Sequence, residues 1–262
     1  RMARLKFSNP EEGYYHIVSR TVLKSYLLGE VEKEYFQKLL KRLARVYFVR
    51  VVTFTVMSNH FHVIIQMIPE SKISESDFKK RYNRYYNVKN AEYPLSVTLG
   101  EEATLRYRWG DVSCFVQELK QRFSRWYNKR NKSHGHVWAE RFKSVLLESE
   151  RALLACMVYV ELNSVRAGIV TRPEDYRFSG LGLYLTGGKA SSWLDHGTLA
   201  KALSALEKKA SPTKKDQMRH YLELIYHEGQ IERDTKARIP EKEAQLLLST
   251  DFKGSEILTF RR

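Results

Sequence analysis

Val49–Met57 (VRVVTFTVM) and Phe61–Met67 (FHVIIQM) are two apolar, β-branched runs separated only by Ser58-Asn59-His60. A connection that short belongs to a hairpin, so the runs read as neighbouring antiparallel strands, with Pro69 ending the second. Upstream, Tyr14–Arg20 (YYHIVSR) follows Gly13 and reads as another strand, rich in aromatic and β-branched residues. Glu32–Tyr47 reads as an amphipathic helix, because Phe36, Leu40, Leu43 and Tyr47 recur at steps of three and four. Downstream, Cys114–Lys129 is helical in pattern, with Phe115, Leu119, Phe123 and Trp126 on one side. Phe142–Leu147 reads as a short strand and Glu150–Asn163 as a helix. Strand–helix–strand–strand–helix–strand, then a further helix, is the split βαβ order. The expected class is α+β: a ferredoxin-like sheet with helices on one face, plus a small helical C-terminal appendage.

Residues 70–112 are polar and mixed, and read as an insertion carrying a short basic helix. A loop rich in Gly and Ser spans 179–192, and Leu199–Lys209 and Gln217–Tyr226 read as helices beyond it. The expected division is one domain over 1–189 and a helical extension over 190–262. Arg1 ahead of Met2 reads as extraneous to the native start, and Phe260-Arg261-Arg262 gives no closing signal, as in a truncated chain.

The charge narrows the partner. Forty-five Lys and Arg against 30 Asp and Glu leave +15, with a pI near 9.7. Such a surplus points to nucleic acid first and an acidic membrane surface second. No run of 18 apolar residues is present to span a bilayer, and the opening residues lack a signal peptide's apolar stretch. Two cysteines, Cys114 and Cys156, make no disulfide framework and no zinc cluster. A reducing cytoplasmic setting follows as the expectation. Aromatic and basic residues interleave, as in Lys79-Lys80-Arg81-Tyr82-Asn83-Arg84-Tyr85-Tyr86. Cations neutralise phosphates while rings stack on unpaired bases, which suits single strands. The same stretch reads equally as a helix with a solvated basic face.

His60-Phe61-His62 is the first chemical signal. On a strand, residues two apart share a face, so both imidazoles project together while Phe61 turns inward. Two neutral imidazoles supply two corners of a divalent metal site and leave room for oxygen ligands. The alternative is a pair of part-exposed histidines at a strand end.

The second signal is Tyr159-Val160-Glu161-Leu162-Asn163-Ser164-Val165-Arg166. Residues four and seven apart share a helix face, so Tyr159, Asn163 and Arg166 form one stripe: a phenol, an amide oxygen and a guanidinium. These are a candidate nucleophile, a neutral metal ligand and a phosphate clamp. A phenol with pKa near ~10 attacks poorly at neutral pH without an assisting base or positive field. A packing tyrosine followed by a helix-ending Asn is the other reading. Tyr127, in RFSRWYNKR, is a rival nucleophile with Asn131 four residues on, beyond the expected helix end.

Together the segments YYHIVSR (14–20), TVMSNHFHVII (55–65), GHVWAERFKSVLL (135–147), YVELNSVRAGIV (159–170) and PEDYRFS (173–179) resemble the HUH tyrosine transposases. Within that single-stranded DNA transposase family, the chain is most similar to the REP-associated branch. The resemblance covers residues 14–180. It implies that His60 and His62 bind Mg²⁺ or Mn²⁺, that Tyr159 is the nucleophile and that Asn163 is a polar third ligand. Family members usually carry Pro at the positions of Ser58 and Ser164, where this chain departs.

The implied activity is endonucleolytic cleavage and strand transfer on single-stranded DNA carrying a hairpin, through a 5′-phosphotyrosine. Lys120, Arg122, Arg125, Lys129 and Arg130 are candidates for the hairpin's phosphates, or else a solvated helix face. His16, on the strand expected beside the His60 strand, supports the site or is simply a satisfied sheet residue. A monomer acting in cis, in the cytoplasm at the nucleoid, without a nucleotide cofactor, is the expectation. Two competing classes are a binding module that holds structured DNA or RNA without cutting, and a replication-initiator or relaxase nuclease. The chain has no GxxxxGK loop of the kind an attached helicase would carry. A zinc hydrolase using His60 and His62 lacks a third ligand at suitable spacing.

Overall fold

The computed structural model describes residues 13–22, 26–88, 99–204, 213–232 and 235–249. Four strands, β1 (Tyr14–Arg20), β2 (Val49–Val56), β3 (His60–Met67) and β4 (Lys143–Leu147), form one antiparallel sheet in the order β2-β3-β1-β4. That is the spatial order of the split βαβ plan, so the expected α+β class is what the chain adopts. The helices are α1 (Glu30–Ala44), α2 (Glu75–Tyr86), α3 (Leu99–Trp109), α4 (Val112–Asn131), α5 (Glu150–Glu161), α6 (Asn163–Arg166), α7 (Gly180–Thr186), α8 (Gly188–Ser191), α9 (His196–Ser204), α10 (Lys214–Gln230) and α11 (Glu241–Ser249).

Backbone bonds at both ends of β1 fix its register on β3. The Thr21 N–H donates to the Asn59 carbonyl and the Met67 N–H to the Gly13 carbonyl. Arg20 therefore faces His60, and Tyr14 faces Gln66, whose Nε2 donates to the Tyr14 hydroxyl at 3.1 Å. The turn before β3 is pinned as well. Thr21 Oγ1 donates to the Asn59 carbonyl at 3.1 Å, and buried Lys33 donates from Nζ to Ser58 Oγ at 3.2 Å. Ser58 thus holds this turn by a hydroxyl contact.

The chain divides into two compact units. The first comprises residues up to Val51, Ser58–His60 and Ile65–Leu146. In it α1 and α4 pack together: Phe36 meets Phe123 edge-on at 5.7 Å, and Tyr35 stacks on Trp126 at 3.9 Å. Asp111 caps α4 by accepting from the Ser113 and Cys114 N–H groups, and Lys132, at φ 49, ends it. Sequence periodicity carries α1 on to Tyr47, but the helix stops at Ala44. The physical reason is Tyr47 itself: fully buried, its hydroxyl donates to Glu118 Oε2 at 2.5 Å. Arg108 and Arg122 complete the charge balance of that carboxylate at 2.9 and 2.6 Å. Within the stretch 70–112, α2 and α3 place Phe78 and Trp109, both wholly buried, into this unit's core. Arg81 donates to the Val46 and Tyr47 carbonyls in the segment that follows α1.

The second unit comprises Val52–Met57, Phe61–Ile64 and the chain from Leu147 onward. Ser149 caps α5, whose Leu153, Leu154, Met157, Val158 and Val160 are buried against α9 and α10. Glu161 is buried too, accepting from the Thr53 hydroxyl and the Leu181 N–H. Thr213 and Asp216 form a capping box at the start of α10. Along α10, Tyr226 donates to Glu174 Oε1 at 2.8 Å, beside the bond from Arg172 to the same oxygen. The helix expected over 199–209 is described from His196 to Ser204, with 205–212 outside the described residues, and the one expected over 217–226 runs from Lys214 to Gln230.

Tyr47→Phe removes one hydrogen bond to a buried carboxylate that keeps both arginines. It should lower stability by about 1–2 kcal/mol, read as an earlier urea midpoint with an unchanged m-value.

Candidate active site

Alternation along β3 sends His60 and His62 to one side and Phe61, wholly buried, to the other. His62 is 5% exposed, and its ring meets the ring of Tyr159 edge to face, with centroids 5.5 Å apart. Tyr159 is 45% exposed despite that contact. A phenol that touches a buried imidazole and still reaches solvent can meet a phosphate of a bound strand.

His60 is only part-buried, yet its chemistry is well defined. Its Nδ1 lies 2.6 Å from Asn59 Oδ1. An amide oxygen can only accept, so Nδ1 carries the proton and Nε2 carries the ring's lone pair. Burial, and secondarily the Arg20 guanidinium across the sheet, push His60 down to about 4. It is therefore a neutral imidazole at physiological pH, the form that ligates metals. His16 sits on the neighbouring strand β1, where burial likewise pushes it down to about 4.

Among the described residues, no three His, Cys, Asp or Glu side chains gather as a metal cage. Two imidazoles are nitrogen donors that suit a divalent ion once oxygen ligands complete the set. Asn163, at the start of α6, could contribute such an oxygen. Its Nδ2 donates back to the Tyr159 and Val160 carbonyls at 2.8 and 3.4 Å. The nitrogen is thereby spent on closing α5, and Oδ1 is the atom left for ligation.

Arg166 is engaged elsewhere. Its two terminal nitrogens donate to the Ile231 and Glu228 carbonyls at 2.8 and 2.7 Å, which closes the C-terminal end of α10. The structure thus brings Tyr159 and His62 together, and ties Arg166 to a helix 62–65 residues downstream.

The α4 candidates separate into two kinds, all within the first unit. Lys120 donates to the Glu140 carbonyl at 2.7 Å and lies over the Trp138 ring, and Arg122 is held by buried Glu118. Arg125, Lys129 and Arg130 are exposed, with Arg130 only 3.7 Å from Glu32. Tyr127, the rival nucleophile, packs its ring along Phe123 at 6.3 Å. Two residues beside His60 were not singled out from the sequence: Asn59, which sets its tautomer, and Arg20, an exposed cation facing it across the sheet. Asn59 carried a signal in its position next to the histidine pair. Arg20 carried none before the register was known.

Among the described residues, no helix is long and apolar enough to cross a membrane. None of the curated proteins matches the chain significantly. Among solved structures, the chain is similar to a REP-associated tyrosine transposase bound to a REP hairpin. That match has 14% identity and a TM-score of 0.47, covering 74% of this chain and 98% of the other. The family model described as "Transposase IS200 like" matches residues 10–101, the stretch that holds β1, α1 and the hairpin with both histidines. Over that stretch the chain is similar to the IS200-like transposases, in accord with the resemblance its motifs carry.

Proposed function

We propose that the chain is a metal-dependent single-stranded DNA endonuclease and strand transferase acting on hairpin DNA. The observation that carries this reading is the Tyr159 phenol, 45% exposed and 5.5 Å ring to ring from His62. His60 and His62 would hold Mg²⁺ or Mn²⁺, with Asn163 Oδ1 and phosphate oxygens as further ligands. A divalent ion there supplies Lewis-acid polarisation of the scissile phosphate. Asn59 holds the His60 ring with Nε2 presented for ligation.

Tyr159 Oη attacks phosphorus in line, the P–O3′ bond breaks, and the departing 3′-oxygen takes up a proton as Tyr159 loses its own. The product is a 5′-phosphotyrosine and a free 3′-hydroxyl. Because a phosphodiester replaces a phosphodiester, a second strand's 3′-hydroxyl can reverse the step without ATP. Tyr159 and His62 meet within one chain, which favours chemistry in cis. Exposed Arg125, Lys129 and Arg130 on α4 are assigned to hairpin phosphates. Lys120 and Arg122 reinforce the same helix's charge, and Arg20 supports the phosphate near His60.

Incubated with single-stranded hairpin DNA and Mn²⁺, the wild type should give a covalent adduct on a denaturing gel. Tyr159→Phe should give none. An adduct that survives in this variant moves the nucleophile elsewhere, and binding with no wild-type adduct makes the chain a binding module. Asn59→Ala frees the His60 tautomer and should weaken Mn²⁺ binding about 10- to 100-fold, measured from the free-Mn²⁺ electron paramagnetic resonance signal. Replacing Arg125, Lys129 and Arg130 together by alanine should flatten the slope of log affinity against log salt by about 2–3. Fluorescence anisotropy across a salt series reads that change, and an unaltered slope removes these residues from the interface.

A further inference from the structure

Beside Tyr159, between α5 and α10 of the second unit, lies a half-open cavity of about 560 Å³. This is within the roughly 300–1,000 Å³ typical of small-molecule sites. One stripe of α5 forms a wall: Arg151, Leu154, Val158 and Tyr159 follow at helical spacing. Leu224 of α10 faces it from the other wall, and Lys236, beyond α10, adds a second exposed cation. Glu228 is the acidic residue among the lining side chains.

The walls are held in place by close contacts. Arg166 ties α6 to the end of α10, and Gly229 allows approach, since a Cβ there would sit 2.5 Å from Ile239 and 3.0 Å from Leu162. The aliphatic lining, the exposed cations Arg151 and Lys236 and the carboxylate of Glu228 match the parts of a nucleotide. Aliphatic walls take the base, Glu228 accepts from its exocyclic amine, and Arg151 and Lys236 take the phosphate that follows. Arg151 and Tyr159 are separated by about 12 Å along the axis of α5, enough for one nucleotide and its flanking phosphates.

We infer that this cavity is the seat of the nucleotide on the 3′ side of the cleavage point, the one that stays joined to Tyr159 through its 5′-phosphate. The inference rests on Tyr159 being the nucleophile. It gives the C-terminal helices, which lie outside the family-matched stretch, a part in substrate selection.

The test uses the full chain and the 5′-phosphorylated tetranucleotide dA4, labelled at its 3′ end, with binding read by fluorescence anisotropy. Arg151→Glu with Lys236→Glu, and separately Leu224→Trp, should each weaken binding about tenfold or more, as loss of phosphate contacts or of the base's space requires. Arg141→Glu with Lys143→Glu, an equal charge change in the first unit, should cost less than about threefold through screened charge alone. All four charged positions and Leu224 are exposed, and thermal melting verifies that each variant is folded. Equal losses in the cavity and control double variants, or unchanged binding by Leu224→Trp, overturn the inference. The hairpin adduct assay separates its failure from that of the nucleophile assignment. A wild-type adduct with cavity-independent tetranucleotide binding sinks the inference alone. Cavity-dependent binding without any adduct sinks the catalytic reading, and with it the covalent role of the bound nucleotide.

Discussion

The register of β3 is the constraint on which the site depends. This strand lies between β1 and β2, and bonds at both ends hold it to β1, from Thr21 to Asn59 and from Met67 to Gly13. A slip of one residue would exchange the two faces of the strand. Phe61 would change places with the imidazoles, moving to the face that now carries His60 and His62. The apolar run Phe61, Val63 and Ile65, all at most 1% exposed, opposes that slip with several buried side chains. Placement of His60 and His62 is therefore a by-product of hydrophobic burial on the opposite face. The polar turn before β3 adds the remaining precision, because Ser58 and Asn59 are each held from residues outside the hairpin.

Tyr159 obeys a complementary rule. It sits on a helix whose neighbours Leu154, Met157, Val158 and Val160 are buried, yet it stays open to solvent. Burial pushes Tyr47, Tyr176 and Tyr226 above the ordinary phenol range, which keeps them protonated as hydrogen-bond donors. Each of those three donates to a buried acceptor: Glu118, the Val56 carbonyl and Glu174. Their burial and their partners give them structural work. Tyr159 differs from them in being an exposed phenol beside a buried imidazole.

Much of this was legible in the sequence, for identifiable reasons. The strands and the helices α4 and α5 announce themselves because burial on one face writes its period directly into the chain. The helix that follows β1 was legible except at its end, since Tyr47 leaves the helix for a carboxylate 71 residues away. The histidine pair was legible as a motif, and Tyr159 as the member of a stripe. Arg20 was not, because facing positions on β1 and β3 follow from a register that no single stretch encodes. Arg166 shows the same limit in reverse. Its place on the Tyr159 stripe suggested a phosphate clamp, whereas the carbonyls it satisfies belong to α10.

That use of Arg166 bears on how such a site can be extended. At the end of α10 the Arg166 guanidinium makes charge-assisted bonds to two carbonyls, Glu228 in the last turn and Ile231 just beyond it. The bond runs from the turn that follows the Tyr159 helix, so ordering α10 and orienting Tyr159 are coupled through one side chain. An added helical segment held in this way gains a position beside Tyr159 without altering the histidine strand. Cavity walls can then be varied residue by residue along α10, while the sheet that carries the imidazoles stays as its own packing dictates.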